Sequence, residues 1–173
     1  MLSHLDSAFQ KVMDLEGGGF YHNVAGDPGG ETKWGVSKRH HPDVDIRNLT
    51  KEDARAIFEQ EYWIPLYCHE LTSRQMAFEV VEFAFNSGPG ASALAAQNAF
   101  NDLMKASSSV GTILPDGRMG PKTVSALNRA DRMGGIAVLA WVSRFNLLQL
   151  KHYRSLRPEL VQRFFVGWSR RVI

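Results

Sequence analysis

Three polar residues near the start of the chain have types and spacings that suit the hydrolysis of a glycosidic bond. Glu16 is followed by Asp27 eleven residues later and by Thr32 five residues after that. This reaction needs one carboxyl group to protonate the leaving oxygen and a second carboxylate to activate water or stabilise the oxocarbenium-like centre. A hydroxyl group such as that of Thr32 could hold the water. A loop that doubles back would bring the three side chains around one cleft.

Spacing alone leaves other interpretations of these residues open. Glu16 could be a solvated glutamate at a helix end, Asp27 a turn residue, and Thr32 a side chain bonded to local backbone. The surrounding residues suit a sugar, because sugar rings stack on aromatic faces while their hydroxyl groups bind polar side chains. The candidates for substrate binding are Tyr21, Asn23, Lys33, Trp34 and Asn86. The alternative for the two aromatic residues is packing of the loop onto the core.

The segment before Glu16 has the pattern of a helix that buries one face. Apolar residues recur there at i, i+3, i+4, i+7 and i+8. They are Leu5, Ala8, Phe9, Val12 and Met13. Ser3 and Asp6 form a capping-box pattern at the start, and Gly17-Gly18-Gly19 ends the helix. Glu16 falls on the next position of the apolar stripe, at the end of the helix and at the start of the glycine-rich segment.

The rest of the sequence predicts helices and little strand. The irregular segment 17–42 contains Asp27-Pro28-Gly29-Gly30, a turn pattern across which we expect a small hairpin. Helix starts follow from capping residues, from proline and from glycine breaks. They are expected at Thr50 with Asp53, at Ser73, near Gly90, at Pro121, after Gly134-Gly135 and at Pro158. The fold class is therefore mainly α with a small β-hairpin.

Composition excludes several classes of protein. Of the 173 residues, 44% are hydrophobic and 22% are charged, which is typical of a globular chain rather than a disordered one. The net charge is +2 and the basic residues are spread along the chain, so no nucleic-acid partner is expected. The single cysteine, Cys68, excludes an intramolecular disulfide and a Cys/His zinc cluster, and we expect it to be a buried thiol. The sequence has no Gly-x-Ser-x-Gly, P-loop or His-Glu-x-x-His motif, which argues against the chemistries that these motifs support.

The hydropathy of the sequence predicts neither a membrane-spanning helix nor a secretory signal peptide. No segment has the roughly 18 apolar residues that a membrane-spanning helix needs. Residues 1–10 have neither the basic start nor the apolar core of a secretory signal peptide. We therefore expect a protein made in the cytoplasm without a signal peptide and without an integral membrane segment.

The motif around Glu16 extends beyond the three candidate catalytic residues. Glu16-Gly17-Gly18 is followed by Asn23 and then by the run Asp27–Ser37, DPGGETKWGVS. This order resembles the signature of the glycoside hydrolase 108 family. Members are phage-derived peptidoglycan muramidases, or endolysins, and some are described as secretion activators. Relative to the family's motif, Gly19 and Phe20 are extra residues.

The second half of the chain contains four segments that resemble the peptidoglycan-binding region accompanying this family. They are Phe83–Pro89, Asp116–Thr123, Arg144–Tyr153 and Phe165–Arg171. The resemblance implies a lysozyme-like fold with the hairpin beside the active-site cleft. It divides the chain into a catalytic glycoside hydrolase lobe, residues 1–70, and a helical peptidoglycan-binding region, residues 71–173, packed together as one compact unit.

The resemblance implies an enzyme that cleaves the β-1,4 bond between N-acetylmuramic acid and N-acetylglucosamine in peptidoglycan glycan strands, with Glu16 as the general acid and with no metal or organic cofactor. We expect a monomer. Asp27 and Thr32 match motif positions, and the Glu-Asp-Thr order is similar to that of phage-type lysozymes, which favours an inverting mechanism. A phage or prophage endolysin would act on the periplasmic cell wall after crossing the inner membrane through a holin. Two alternatives remain: a lytic transglycosylase, which releases a 1,6-anhydro product, and a non-catalytic wall-binding or secretion-accessory protein.

Overall fold

The computed structural model describes residues 3–16, 18–23, 30–106 and 111–156. Asp27 and the helix predicted to begin at Pro158 lie outside the described residues. The chain divides into two compact units, Met1–Glu61 and Tyr62–Ile173. The functional division predicted at residue 70, and the packing of the two parts as one body, remain predictions.

Two helices form the body of the first unit. Helix α1 (His4–Leu15) begins with the predicted Ser3/Asp6 capping box, and helix α2 (Lys51–Phe58) begins with the predicted Thr50/Asp53 box. The apolar face of α1 is buried, as its spacing predicts, and the rings of Phe9 and Phe58 meet with centroids 5.5 Å apart. On the surface, Arg55 Nε donates to Asp6 Oδ1 over 2.6 Å. The backbone of α2 continues into a π-helical segment, Glu59–Trp63.

A two-stranded antiparallel hairpin follows the glycine-rich segment. Strand β1 (Thr32–Lys33) pairs with strand β2 (Val36–Ser37), with Thr32 opposite Ser37. The connecting residues Trp34 and Gly35 have φ angles of 53° and 73°. Positive φ at both positions is what a type I′ hairpin turn requires.

The turn of this hairpin lies further along the chain than the turn pattern at 27–30 and was not predicted. Tryptophan at positive φ is rare, so Trp34-Gly35 gives no turn signal in the sequence. A single antiparallel bridge between His22 and Thr32 flanks the earlier segment, with backbone N–H···O distances of 2.8 and 2.9 Å. Thr32 is thus paired on both sides.

In the second unit, the described residues form four long helices after a short 3-10 turn at Cys68–Glu70. They are α3 (Arg74–Ser87), α4 (Pro89–Ala106), α5 (Pro121–Arg132) and α6 (Gly135–Ser155). Their starts agree with the predictions from Ser73, Pro121 and the break at Gly134-Gly135. Cys68 is buried, as predicted.

Aromatic rings fill the core of the second unit. Trp141 and Phe145 stack with centroids 4.9 Å apart, and Phe83 meets Phe145 edge to face at 5.8 Å. Small residues on α4 bring it close to α3, where the hydroxyl of the fully buried Ser92 donates to the carbonyl of Val80 over 2.6 Å. Helices α4 and α6 pack along much of their length.

The described chain is mainly helical with one small hairpin, so the predicted lysozyme-like fold class is confirmed. Among the described residues, no helix combines the length and hydropathy needed to cross a membrane.

Candidate active site

Glu16 lies at the C-terminal end of α1, where it is the C-cap residue and is half-buried. Its backbone N–H donates to the carbonyl of Val12 over 3.0 Å, which continues the helical ladder by one residue. The N–H of Gly18 donates to the carbonyl of Met13 over 2.8 Å. This hydrogen bond joins the second residue after the C-cap to the third residue before it. It is the bond that defines a Schellman-type helix end. Glu16 is therefore held by the last turn of a packed helix.

Thr32 has a fixed backbone and a weakly held hydroxyl group. Its N–H and C=O are both paired with His22, and Ser37 faces it across the hairpin. The side-chain Oγ1 lies 3.5 Å from the carbonyl oxygen of Gly30, the outer limit of a hydrogen bond. The hydroxyl is half-buried, and a molecule that offered better geometry could compete for it.

Tyr21 and Lys33 belong to one connected group of side chains. The Tyr21 hydroxyl donates to Glu31 Oε1 over 2.8 Å, and the guanidinium of Arg47 lies 5.2 Å from the Tyr21 ring centroid. The ammonium of Lys33 donates to the backbone carbonyl of Arg47 over 3.0 Å. Tyr21 is therefore fixed by a hydrogen bond at its hydroxyl and a cation at its ring.

Trp34 is held tightly by the chain that follows Glu16. Its indole lies so close to Gly19 that a Cβ atom at this position would overlap the six-membered ring. The ammonium of Lys51 lies 5.9 Å from the Trp34 ring centroid, and it also donates to Gln10 Oε1. The packing alternative for Trp34 is thus supported by its contacts, and its role toward a sugar stays a prediction.

The two asparagine candidates differ in their surroundings. Asn23 is exposed. Asn86 lies in the second unit near the end of α3, where its Nδ2 donates to the backbone carbonyl and to Oε1 of Glu82, each over 3.1 Å. Glu82 is only 1% exposed, and Gln149 Nε2 donates to its other oxygen over 3.0 Å. The amide of Asn86 is therefore oriented by a buried carboxylate.

The first unit holds most of the candidate residues that the structure describes. They are Glu16, Tyr21, Asn23, Thr32, Lys33 and Trp34. Two positive side chains contact the aromatic candidates: Arg47 lies over the Tyr21 ring and Lys51 over the Trp34 ring. Lys33 is a third positive group in this unit, and positive groups attract a substrate that carries carboxylates.

A second organised polar group, which the sequence interpretation missed, holds the loop before α5. Gln97 on α4 is 1% exposed, and its Nε2 lies 2.8 Å from Asp116 Oδ1 and 3.0 Å from the carbonyl of Arg118. Its Oε1 accepts from the N–H of Gly117 over 2.9 Å. The hydrogen bond from Gln97 lowers the pKa of the Asp116 carboxyl below its ordinary value.

One turn further along α4, the side chain of Asn101 also forms hydrogen bonds with the loop before α5. Its Nδ2 donates to the carbonyl of Ile113 and its Oδ1 accepts from the N–H of Ile113, both over 2.8 Å. Gln97 and Asn101 are four residues apart on the buried face of an alanine-rich helix. Two amides within an apolar stripe are the signal that could have identified them, because buried polar groups need partners.

The fold and these contacts define a helical, lysozyme-like protein that presents a carboxyl group at a fixed helix end. Residues 9–88 match the family described as Glycosyl hydrolase 108, so this segment of the chain is similar to that family. The match spans all of the candidate catalytic and substrate-binding residues and supports a hydrolase that acts on glycosidic bonds.

Comparison with solved structures gives the same fold. The chain is similar to the structure of Brucella abortus SagA, with a TM-score of 0.71 and 22% sequence identity over 96% of this chain and 90% of that one. A comparison with curated proteins found no match.

Proposed function

We propose that this protein is an N-acetylmuramidase that hydrolyses the β-1,4 bond between N-acetylmuramic acid and N-acetylglucosamine in peptidoglycan. The observation that carries the proposal is the position of Glu16. It is half-buried at a closed helix end, within the segment that matches a glycoside hydrolase family. A general acid has to be held in place relative to the bond it protonates, and a capped helix end provides this.

In the proposed reaction, the carboxyl group of Glu16 gives its proton to the glycosidic oxygen while the bond to the anomeric carbon breaks. Water attacks that carbon from the opposite face, which inverts its configuration. Thr32 and Asp27 are proposed to hold and activate this water. The weak bond of the Thr32 hydroxyl to Gly30 supports the first role, because little has to be broken for it to turn toward water.

Substrate binding is proposed to use the polar and cationic groups of the first unit. The stem peptides of peptidoglycan carry carboxylates, and the positive side chains of Lys33, Arg47 and Lys51 would attract them. Tyr21 and Asn23 are proposed to contact the sugar, and Asn86 is proposed as a substrate-binding residue of the second unit. The loop clamped by Gln97 belongs to the segment whose sequence resembles a peptidoglycan-binding region, and we propose that the second unit contributes wall affinity.

The biological setting is part of the same proposal. A monomeric phage or prophage endolysin would act on the periplasmic cell wall and would reach it through a holin. The modest net charge of +2 is compatible with an anionic wall.

Product analysis tests the reaction type. Purified Gram-negative sacculi are digested with the full chain, and the released muropeptides are identified by mass spectrometry. A muramidase leaves reducing muramic-acid ends. A lytic transglycosylase leaves 1,6-anhydro ends, which are lighter by one water, and this result would contradict the proposal. Sacculi that bind the protein but stay intact would instead indicate a wall-binding protein.

A further inference from the structure

The contact between Trp34 and Gly19 is unusual because it leaves no room for any side chain at residue 19. An added Cβ atom would overlap three atoms of the indole. The φ angle of Gly19 lies outside the left-handed region, so its backbone conformation is open to other residues. Glycine is therefore required here for space alone, which is the requirement of a close approach between two parts of a chain.

The hairpin holds Trp34 in the position that makes this contact. Trp34 occupies the left-handed region with φ 53°, which non-glycine residues rarely adopt. Such a conformation persists only where the surrounding structure fixes it. Here the fixed elements are the pairing of β1 with β2 on either side of the turn and the ammonium of Lys51 near the ring.

Gly19 is connected to the end of α1 through the hydrogen bond of its neighbour Gly18. Glu16 is bonded to α1 through Val12, and the next described residue, Gly18, is bonded to Met13. Gly19 follows directly and lies against the indole. A displacement at Gly19 would therefore be transmitted to the helix end that carries the Glu16 carboxyl group.

We propose that Trp34 is a positioning residue for Glu16, which acts by pressing on Gly19, and that it is not a platform on which sugar stacks. The inference rests on the proposed function of Glu16 as general acid. It predicts that the contact affects the rate of bond cleavage and leaves the affinity for the wall unchanged. A sugar platform would have the opposite effect, because removing it would weaken binding.

A double-mutant cycle on initial rates of sacculus solubilisation tests the proposal. The rates are measured over a range of sacculus concentrations for the wild type, Gly19→Ala, Trp34→Ala and the double variant. We expect each single variant to lower the maximal rate by on the order of ten- to a hundredfold, since small misplacements of a catalytic group have effects of this size. We expect an unchanged half-saturating concentration. The double variant should be no slower than Trp34→Ala, because the added methyl group then has room.

Two controls separate the effect from general damage. Gly135→Ala is the matched glycine control, since a Cβ there meets no atom within 4 Å, and it should retain the wild-type rate. Trp34→Phe keeps a smaller ring and should show an intermediate rate even if Gly19→Ala fails to fold. Binding to sacculi is measured separately, by pull-down of Glu16→Gln with and without Trp34→Ala, and should be equal for the two.

The outcomes distinguish the proposal from the function on which it rests. A wild type that releases no reducing sugar refutes the muramidase function. An active wild type with a fully active Gly19→Ala variant refutes the positioning role alone. Weaker sacculus binding after Trp34→Ala, or a raised half-saturating concentration, would show that Trp34 contacts sugar and would also overturn the inference.

Discussion

Gln97→Leu is expected to destabilise the second unit by releasing the loop before α5. The leucine has nearly the same volume, so little cavity forms and the change removes mainly hydrogen bonds. Gln97 Nε2 lies within 3.1 Å of Asp116, the Arg118 carbonyl and Thr123. Its two hydrogens can serve two of these acceptors at a time. The Gly117 N–H loses its acceptor as well.

The size of the effect follows from these contacts. Three hydrogen bonds are lost, each with a net value of about 0.5–1.5 kcal/mol, or roughly 1.5–4.5 kcal/mol in total. Asp116 and Arg118 are exposed and can be hydrated in the variant, whereas the half-buried Gly117 is less accessible to water. We therefore expect a loss of about 2–3 kcal/mol in the free energy of unfolding.

Urea unfolding followed by circular dichroism measures this loss. Asn98→Ala is the matched control on the same helix, because its side chain bonds only to the carbonyl of Leu94 within α4 among the described residues. It should change the stability by less than about 0.5 kcal/mol. The Asp116 carboxyl offers a second readout by carbon NMR, since loss of the Gln97 hydrogen bond should raise its pKa toward the ordinary value. If the Gln97→Leu protein is as stable as the control and the Asp116 titration is unchanged, the proposed role of Gln97 in holding the loop before α5 is refuted.

Three further predictions concern other parts of the chain. Thr50→Ala removes the Asp53 capping box of α2 and should cost about 1 kcal/mol of stability, measured by urea unfolding beside the helix-surface control Glu52→Gln. Burial raises the pKa of the Cys68 thiol, so a thiol reagent should modify it only on unfolding, and rapid labelling of the native protein would contradict this. Burial lowers the pKa of His152, so the unfolded chain binds more protons as the pH falls below the ordinary value of 6.5. Neutral His152 therefore contributes its full stability above pH 6.5, and this contribution is lost as the pH falls through the pKa of His152 in the folded protein. Between about pH 7 and pH 5, the His152→Gln variant should lose less stability than the wild type.

The helices were predictable because their signals are local. The capping boxes at Ser3 and Thr50 and the proline at Pro121 each act within one helical turn, so a short stretch of sequence determines them. The apolar spacing of α1 also places Glu16 at the helix end, where the structure has it.

The turn of the β1–β2 hairpin was not predicted because its cause is not local. Trp34 adopts a positive φ against its own preference, in a position fixed by strand pairing and by the close contact with Gly19. The sequence does not distinguish a glycine that leaves room for a neighbouring side chain from a glycine that adopts a positive φ. The contact depends on two segments fifteen residues apart, which a local pattern does not reveal.

The residues of the candidate site remain predictions, and their contacts could be predicted only in part. Sequence order proposes Glu16 and Thr32, whereas the pairing of Tyr21 with Glu31 and Arg47 emerges only in three dimensions. Gln97 was missed for a related reason. A glutamine on an alanine-rich helix has no chemical motif, and its importance comes from the loop that it contacts twenty residues later.

The most direct test of the account is the rate at which Glu16→Gln solubilises purified sacculi, compared with the wild type and with Asp14→Asn. Asp14 is an exposed carboxylate on the same helix, so its variant controls for the loss of one charge. If Glu16 is the general acid, Glu16→Gln should lose at least about a hundredfold in rate, while it keeps wild-type circular dichroism and sacculus binding. Asp14→Asn should keep the wild-type rate. A folded Glu16→Gln protein that clears sacculi as fast as the wild type would contradict the central claim.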